Sequence, residues 1–246
     1  MNKYFFVIAR YPDGLQKIFE EKISPKNKDY CDRHGMEYIV IDKSYDLPRF
    51  RRNITWMKFW LVQKWLKDGF LKDEDSLVHF DADMVIVKPE CEYKTDKSFS
   101  YAVDSCNSHC MGNYCINVND WSRKLVNDIL DENLYQKHKN TKHWHFFREQ
   151  AAWYTLAGIK PFNRISFFDQ PNYGFHSDNK EPVYTLEELQ SHVDVKKPIW
   201  DCTLLQDEID NPRANLIAPA LINRVDKKDV IIRHFAAKQP WRNEYL

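Results

Sequence analysis

The feature that most constrains this chain is a pair of carboxylates set inside an apolar run. Leu77-Val-His-Phe80 leads into Asp81-Ala-Asp83, and Met84-Val-Ile-Val87 follows before Lys88-Pro89 closes the segment. The tetrads on either side have the β-branched and aromatic content of strands, and the proline ends the run. Asp81 and Asp83 are therefore not a solvated charge run, because an unpaired carboxylate among Val78, Phe80, Val85 and Ile86 is expensive to bury. Something must compensate them. A divalent cation is the natural partner, and the small Ala82 leaves room for a phosphate to approach the same ion.

The rest of the chain alternates strand and helix patterns. Tyr4-Phe-Phe-Val-Ile-Ala9 is the continuous apolar run of a strand covered on both faces, and Pro12-Asp13-Gly14 follows with turn chemistry. Leu15, Ile18, Phe19, Lys22 and Ile23 recur at helical spacing, and Glu37-Tyr-Ile-Val-Ile-Asp42 reads as a second strand. This βαβ opening predicts a parallel pair. Thr55 is expected to cap a helix from Trp56 to about Asp68, stopped by Gly69. Strands are expected at Phe99–Val103, Tyr114–Val118 and Val230–Phe235, and helices at Trp121–Leu130 and Arg148–Ala157. Thr185 and Glu188 form a capping box. Without repeat, low-complexity tract or linker, residues 1–246 read as a single α/β domain.

Composition narrows the function. With 36 basic and 36 acidic residues there is no global field to gather nucleic acid or an anionic membrane. The first strand-like run begins at Lys3 with no charged leader, and nowhere do about 18 apolar residues follow one another, so neither secretion nor a membrane span is expected. Six cysteines suit a reduced, cytoplasmic protein. Cys106, Cys110 and Cys115 cluster with His109, but no CxxC pair is present and the spacing suits zinc poorly. No GxGxxG or Walker sequence appears, which sets aside dehydrogenase and P-loop readings.

The segment from Leu77 to Pro89 resembles the DxD segment of GT-A glycosyltransferases. The resemblance implies a single GT-A, Rossmann-like domain: three α/β/α layers around a mixed, mainly parallel sheet. Residues 1–118 would form the nucleotide-binding half and residues 119–246 the acceptor-binding half with a metal-binding tail. It implies that Asp83 ligates the metal and that Asp81 is a ligand or a ribose contact. His234-Phe-Ala-Ala-Lys-Gln-Pro-Trp241 is similar to the HxxGxxKPW signature of glycosyltransferase family 8 and its relatives, with Ala237 in place of glycine and Lys238 shifted by two positions. That similarity implies His234 as a metal ligand and Lys238 as a diphosphate contact.

Further positions follow from the same resemblance. Glu149 and Gln150 stand where such families carry an acidic or amide pair facing the sugar; as a plain helix start, a carboxylate there also suits the helix dipole. Asn113 and Asn117 resemble a strand lining the donor sugar. Ala9, Arg10 and Tyr11 end the first strand, where these folds receive the base. Lys58 matches a basic residue that contacts the phosphates, though a lysine snorkelling from a buried helix explains it equally. Oxygen ligands plus one imidazole suit Mn²⁺ and admit Mg²⁺. The implied reaction moves a hexosyl-type sugar from a nucleoside diphosphate sugar, UDP-sugar by preference, to a carbohydrate or other hydroxyl acceptor, with retention.

Two rivals come from other classes. Asp81-Ala-Asp-Met-Val85 also satisfies the DxDx(T/V) signature of haloacid-dehalogenase-type phosphatases, with Asp81 as the nucleophile. That signature normally ends the first strand of its fold, whereas here a βαβ unit comes first. A non-catalytic carbohydrate-binding module could use the eight tryptophans and thirteen tyrosines, but most lie in strand and helix patterns that predict core packing.

Overall fold

The computed structural model of the chain describes residues 1–10, 13–46, 52–86, 88–103, 109–140, 144, 148–157, 183–196, 200–202 and 232–234. Strand β1 (Lys3–Ile8) opens the fold. Helix α1 (Asp13–Ile18) then runs through a π-helical turn, Phe19–Ile23, into α2 (Ser24–His34). Periodicity alone ended this helix at Ile23. Pro25 instead falls in the first turn of α2, where its missing N–H does least harm, and the wider π turn precedes it. Gly35 closes α2 in the left-handed region at φ 63°. Strand β2 (Glu37–Ile41) pairs parallel to β1, with Phe6 opposite Ile39, as the βαβ opening predicts.

A 3₁₀ turn at Ile54–Trp56 leads into α3 (Met57–Lys67), and its cap is Asn53 rather than Thr55: the Asn53 side chain accepts from the Thr55 N–H. Gly69, at φ 74°, follows the end of α3. Strand β3 (Ser76–Phe80) pairs parallel to β1. After the acidic turn come β4 (Met84–Ile86), β5 (Phe99–Val103) and β6 (His109–Asn117), the last starting five residues before the expected Tyr114. Helix α4 (Asp120–Ile129) starts at a capping box between Asn119 and Ser122. Helix α5 (Glu132–His138), missed by periodicity, is capped by Asp131, and α6 (Glu149–Ala157) follows. Helix α7 (Leu186–His192) carries the expected Thr185–Glu188 box. Strands β7 (Val193–Lys196), β8 (Trp200–Cys202) and β9 (Ile232–His234) complete the described elements.

The central sheet has the order β2-β1-β3-β6-β5-β7, with only β6 running against the others. Strands β4, β9 and β8 form a separate three-stranded sheet. Asp81-Ala-Asp83 is thus not the middle of one strand but the junction where the chain leaves one sheet for the other. Strand alternation assigns the layers. Tyr4 and Phe6 face a cluster with Leu77, Tyr114, Phe59 and Trp153, while Phe5 and Val7 face one with Val78, Phe80, Phe19 and Tyr30. Helices α3, α4 and α6 cover the first face and α2 the second, giving the three α/β/α layers. Trp56, Trp65, Trp144 and Trp153 are all buried, so these aromatics serve the core and do not form a sugar-binding surface. Among the described residues no helix is long and apolar enough to cross a membrane.

The Phe59 ring stacks on Tyr114 with centroids 4.9 Å apart and an interplanar angle of 16°, pinning α3 to β6. Phe59→Ala should lower the urea unfolding free energy by about 3–5 kcal/mol. Phe59→Leu should lose clearly less.

Candidate active site

The site is built around an ammonium. Lys58, in the first turn of α3, has a side chain only 4% exposed. Its Nζ donates to Asp81 Oδ1 at 3.0 Å and to the Met111 carbonyl at 2.9 Å, and lies 3.2 Å from Glu149 Oε1. The Glu149 side chain is 7% exposed and that of Asp81 39%, so one buried cation is shared between a buried carboxylate and a half-open one. Burial disfavours the charged amine, yet Asp81 and Glu149 more than offset this and raise the Lys58 pKa above its usual value. The Lys58 ammonium is thus met by three protein oxygens, those of Asp81, Glu149 and the Met111 carbonyl.

His79, in β3 two residues before Asp81, adds a second neighbour. Its Nε2 lies 3.1 Å from Asp81 Oδ1 and its Nδ1 3.2 Å from the Phe6 carbonyl, with the side chain 1% exposed. Burial pushes the imidazole down to about 4; the Asp81 hydrogen bond opposes that fall and the Lys58 charge adds to it. A neutral ring carries one proton, and both partners accept, so only one of the two contacts is a hydrogen bond at a time.

The backbone of β6 makes room for the turn. The Asp81 N–H donates to the Gly112 carbonyl at 2.6 Å, and the Met84 N–H closes the turn on the Asp81 carbonyl at 3.0 Å. A Cβ on Gly112 would stand 2.7 Å from Asp81 Oδ2 and 2.9 Å from Met84 Cε. A glycine within a strand often marks such a close approach, and that signal was present in the sequence. His79 could likewise have been found from its i, i+2 relation to Asp81. Neither was singled out there.

Other expected residues divide. Ala82 is buried with Phe80 and Met84 in the second core cluster. Gln150 accepts from the Met111 N–H at 3.1 Å and donates to the Tyr154 hydroxyl at 2.8 Å, tying β6 to α6. Asn113 lies opposite Phe80 and accepts from the Tyr93 hydroxyl at 3.0 Å. Asn117 is not brought to the site: it pairs with Ser76 at the far end of β3 and donates to the Thr95 and Lys97 carbonyls. Ala9 is buried, and its N–H donates to Ile41 O. Arg10 donates to the carbonyls of Asp42 and Tyr45, holding the turn after β2 at the same strand ends as Asp81. Tyr11 and Lys238 lie outside the described residues.

Strand β9 runs antiparallel to β4 and sets His234 opposite Met84, the residue that follows Asp83. On its other side His234 pairs with Cys202 of β8. Among the described residues, no three His, Cys, Asp or Glu side chains group closely enough to hold a metal ion by themselves. His234 is placed by its backbone register.

No protein-family model matches the sequence, and no curated protein does. Solved structures do. A glycosyltransferase involved in glycosylation of the major capsid of PBCV-1 is 11% identical, with a TM-score of 0.55 over 100% of this chain and 98% of that one. LgtC, a galactosyltransferase solved with donor and acceptor sugar analogues, is 11% identical, with a TM-score of 0.50 over 97% and 88%. An active-site mutant of LgtC gives 10%, 0.51, 100% and 93%. At these identities the likeness is one of fold, and the fold is GT-A.

Gly112→Ala should fold but lose about 1–3 kcal/mol in chemical denaturation, because the added methyl overlaps Asp81 and Met84. Gly69→Ala, a position with nothing within 4 Å, tests backbone strain alone and should not disturb the acidic turn.

Proposed function

We propose that this chain is a metal-dependent glycosyltransferase. It moves a hexosyl-type sugar from a nucleoside diphosphate donor, by preference a UDP-sugar, to a hydroxyl of a glycan or similar acceptor, with retention. The observation that carries this reading is the placement of Asp81-Ala-Asp83 at the carboxyl end of β3, in a GT-A fold, with β9 paired beside it. Ligands of such sheets gather at the carboxyl ends of parallel strands. The solved neighbours are glycosyltransferases, and one of them was captured with donor and acceptor sugar analogues.

The residues present suit a divalent cation. Asp81 and Asp83 are hard oxygen donors two residues apart, Gly112 leaves the space that Asp81 Oδ2 occupies, and His234 is the proposed third ligand. Mn²⁺ suits this set and Mg²⁺ is the substitute; when bound, the cation offsets negative charge on the departing diphosphate. Arg10, by holding the turn after β2, shapes the edge where the base would rest, with Ala9 as its floor. Tyr11 and Lys238 remain proposed contacts to base and diphosphate. Residues 1–118 would carry the nucleotide half of the site and residues 119–246 the acceptor half.

Glu149 is the proposed catalytic carboxylate. Lys58 holds its Oε1, and Oε2 is buried with no hydrogen-bond partner among the described residues. Set behind Asp81 in this way, the carboxylate would act as a buried negative charge near the place where positive charge develops at the anomeric carbon. Gln150, whose amide joins β6 to α6, takes a positioning role in place of the expected contact with the sugar. The phosphatase alternative is not supported: its nucleophile ends a first strand, whereas Asp81 follows the third.

UDP binding measured by calorimetry should require Mn²⁺, because two carboxylates otherwise repel the diphosphate at close range. Undiminished binding in EDTA would contradict the cation bridge. Asp83→Ala should lose more than tenfold in kcat/KM for transfer, above about 1.4 kcal/mol, while its unfolding midpoint stays near that of the unaltered chain.

A further inference from the structure

Lys58 was expected to serve the substrate, and its geometry assigns it elsewhere. Of its three acceptors only Asp81 opens to solvent; Glu149 and the Met111 carbonyl hold the ammonium from the interior side. It therefore cannot swing out toward a ligand without leaving a buried carboxylate and a buried carbonyl unmatched, which is strongly unfavourable. A cation arriving at Asp81 meets a positive charge already touching the same carboxylate. In a partly buried site such repulsion is several times stronger than in bulk water.

We propose that Lys58 is a resident counter-ion: a fixed positive charge that holds Asp81 and Glu149 in place before a divalent cation binds, and that weakens the site's affinity for that cation. This rests on the reading of Asp81 and Asp83 as cation ligands. It makes the bare site stable and the cation easily lost, so that the added negative charge of a nucleoside diphosphate is needed to retain it. Lys58 is on this view a positioning residue, acting through Asp81 and Glu149 and not on the sugar.

Mn²⁺ uptake without nucleotide, followed by loss of the free-ion paramagnetic resonance signal, tests it. Lys58→Gln removes the charge and keeps a donor for the Met111 carbonyl. It should bind Mn²⁺ about tenfold or more tightly than the unaltered chain. It should also melt at lower temperature without metal and recover on Mn²⁺ addition. Lys58→Arg, which keeps the charge, should stay within about threefold of the unaltered affinity. Equal or weaker affinity in Lys58→Gln overturns the proposal, as does a Lys58→Gln chain that stays unfolded when Mn²⁺ is supplied. A gain in Lys58→Arg matching that in Lys58→Gln overturns it too, since charge would not be the cause. If the unaltered chain takes up no Mn²⁺ even with UDP present, the cation-site reading itself falls and this inference with it. If the unaltered chain binds Mn²⁺ and Lys58→Gln binds it no better, only the counter-ion role fails.

Discussion

One ammonium, that of Lys58, meets Asp81, Glu149 and the Met111 carbonyl, and through them it joins α3, the acidic turn, α6 and β6. An isolated buried ion pair is weak support for stability, because desolvation offsets most of the attraction. Losing one partner is another matter, since it strands an uncompensated charge in the interior. The arrangement of the site follows. The helix that carries Lys58 must pack where its side chain reaches the end of β3, and the Phe59 stack on Tyr114 sets that distance. The hydroxyl of Tyr114 is itself buried, and its pKa is raised by burial first and by the charges of Asp81 and Glu149 next.

The second constraint is steric. Strand β3 can end at a turn that leaves the central sheet only because β6 passes close by at Gly112, where the Asp81 N–H finds a carbonyl and its carboxylate finds space. The chain then enters the small sheet at Met84, and the register with β9 brings His234 alongside from far along the sequence. The position of the candidate cation site at a seam between two sheets is a consequence of that exit. In a continuous strand, Asp81 and Asp83 would point to one face with Ala82 on the other. Here β3 ends at Phe80 and β4 begins at Met84, and Ala82 lies buried in the turn between them.

Much of the fold was legible because it rests on local rules. The run Tyr4 to Ala9, the helical spacing after it and Glu37 to Asp42 announced a parallel pair, and Thr185 with Glu188 announced a capped helix. The acidic pair was legible as needing compensation, and for Asp81 the structure supplies the Lys58 ammonium with the His79 ring beside it. A burial argument shows that a counter-charge must exist and does not say which one. Asn117 shows the reverse failure. Its segment matched a donor-sugar strand loosely, but the antiparallel register of β6 carries it to the opposite end of the sheet.

The sequence by itself determined the α/β class, the order of the main elements and the presence of a carboxylate pair between apolar strands, because periods of 2 and 3.6 residues are set by backbone geometry within a few positions. Only the tertiary structure decided that Lys58 serves as counter-charge to Asp81 and Glu149, that Gly112 is the place of closest approach and that His234 registers beside Met84. Those outcomes depend on distances between segments far apart in the chain. Electrostatic compensation and steric fit act through space over a few ångströms, and no local pattern encodes which segments the packing of three layers will bring within that range.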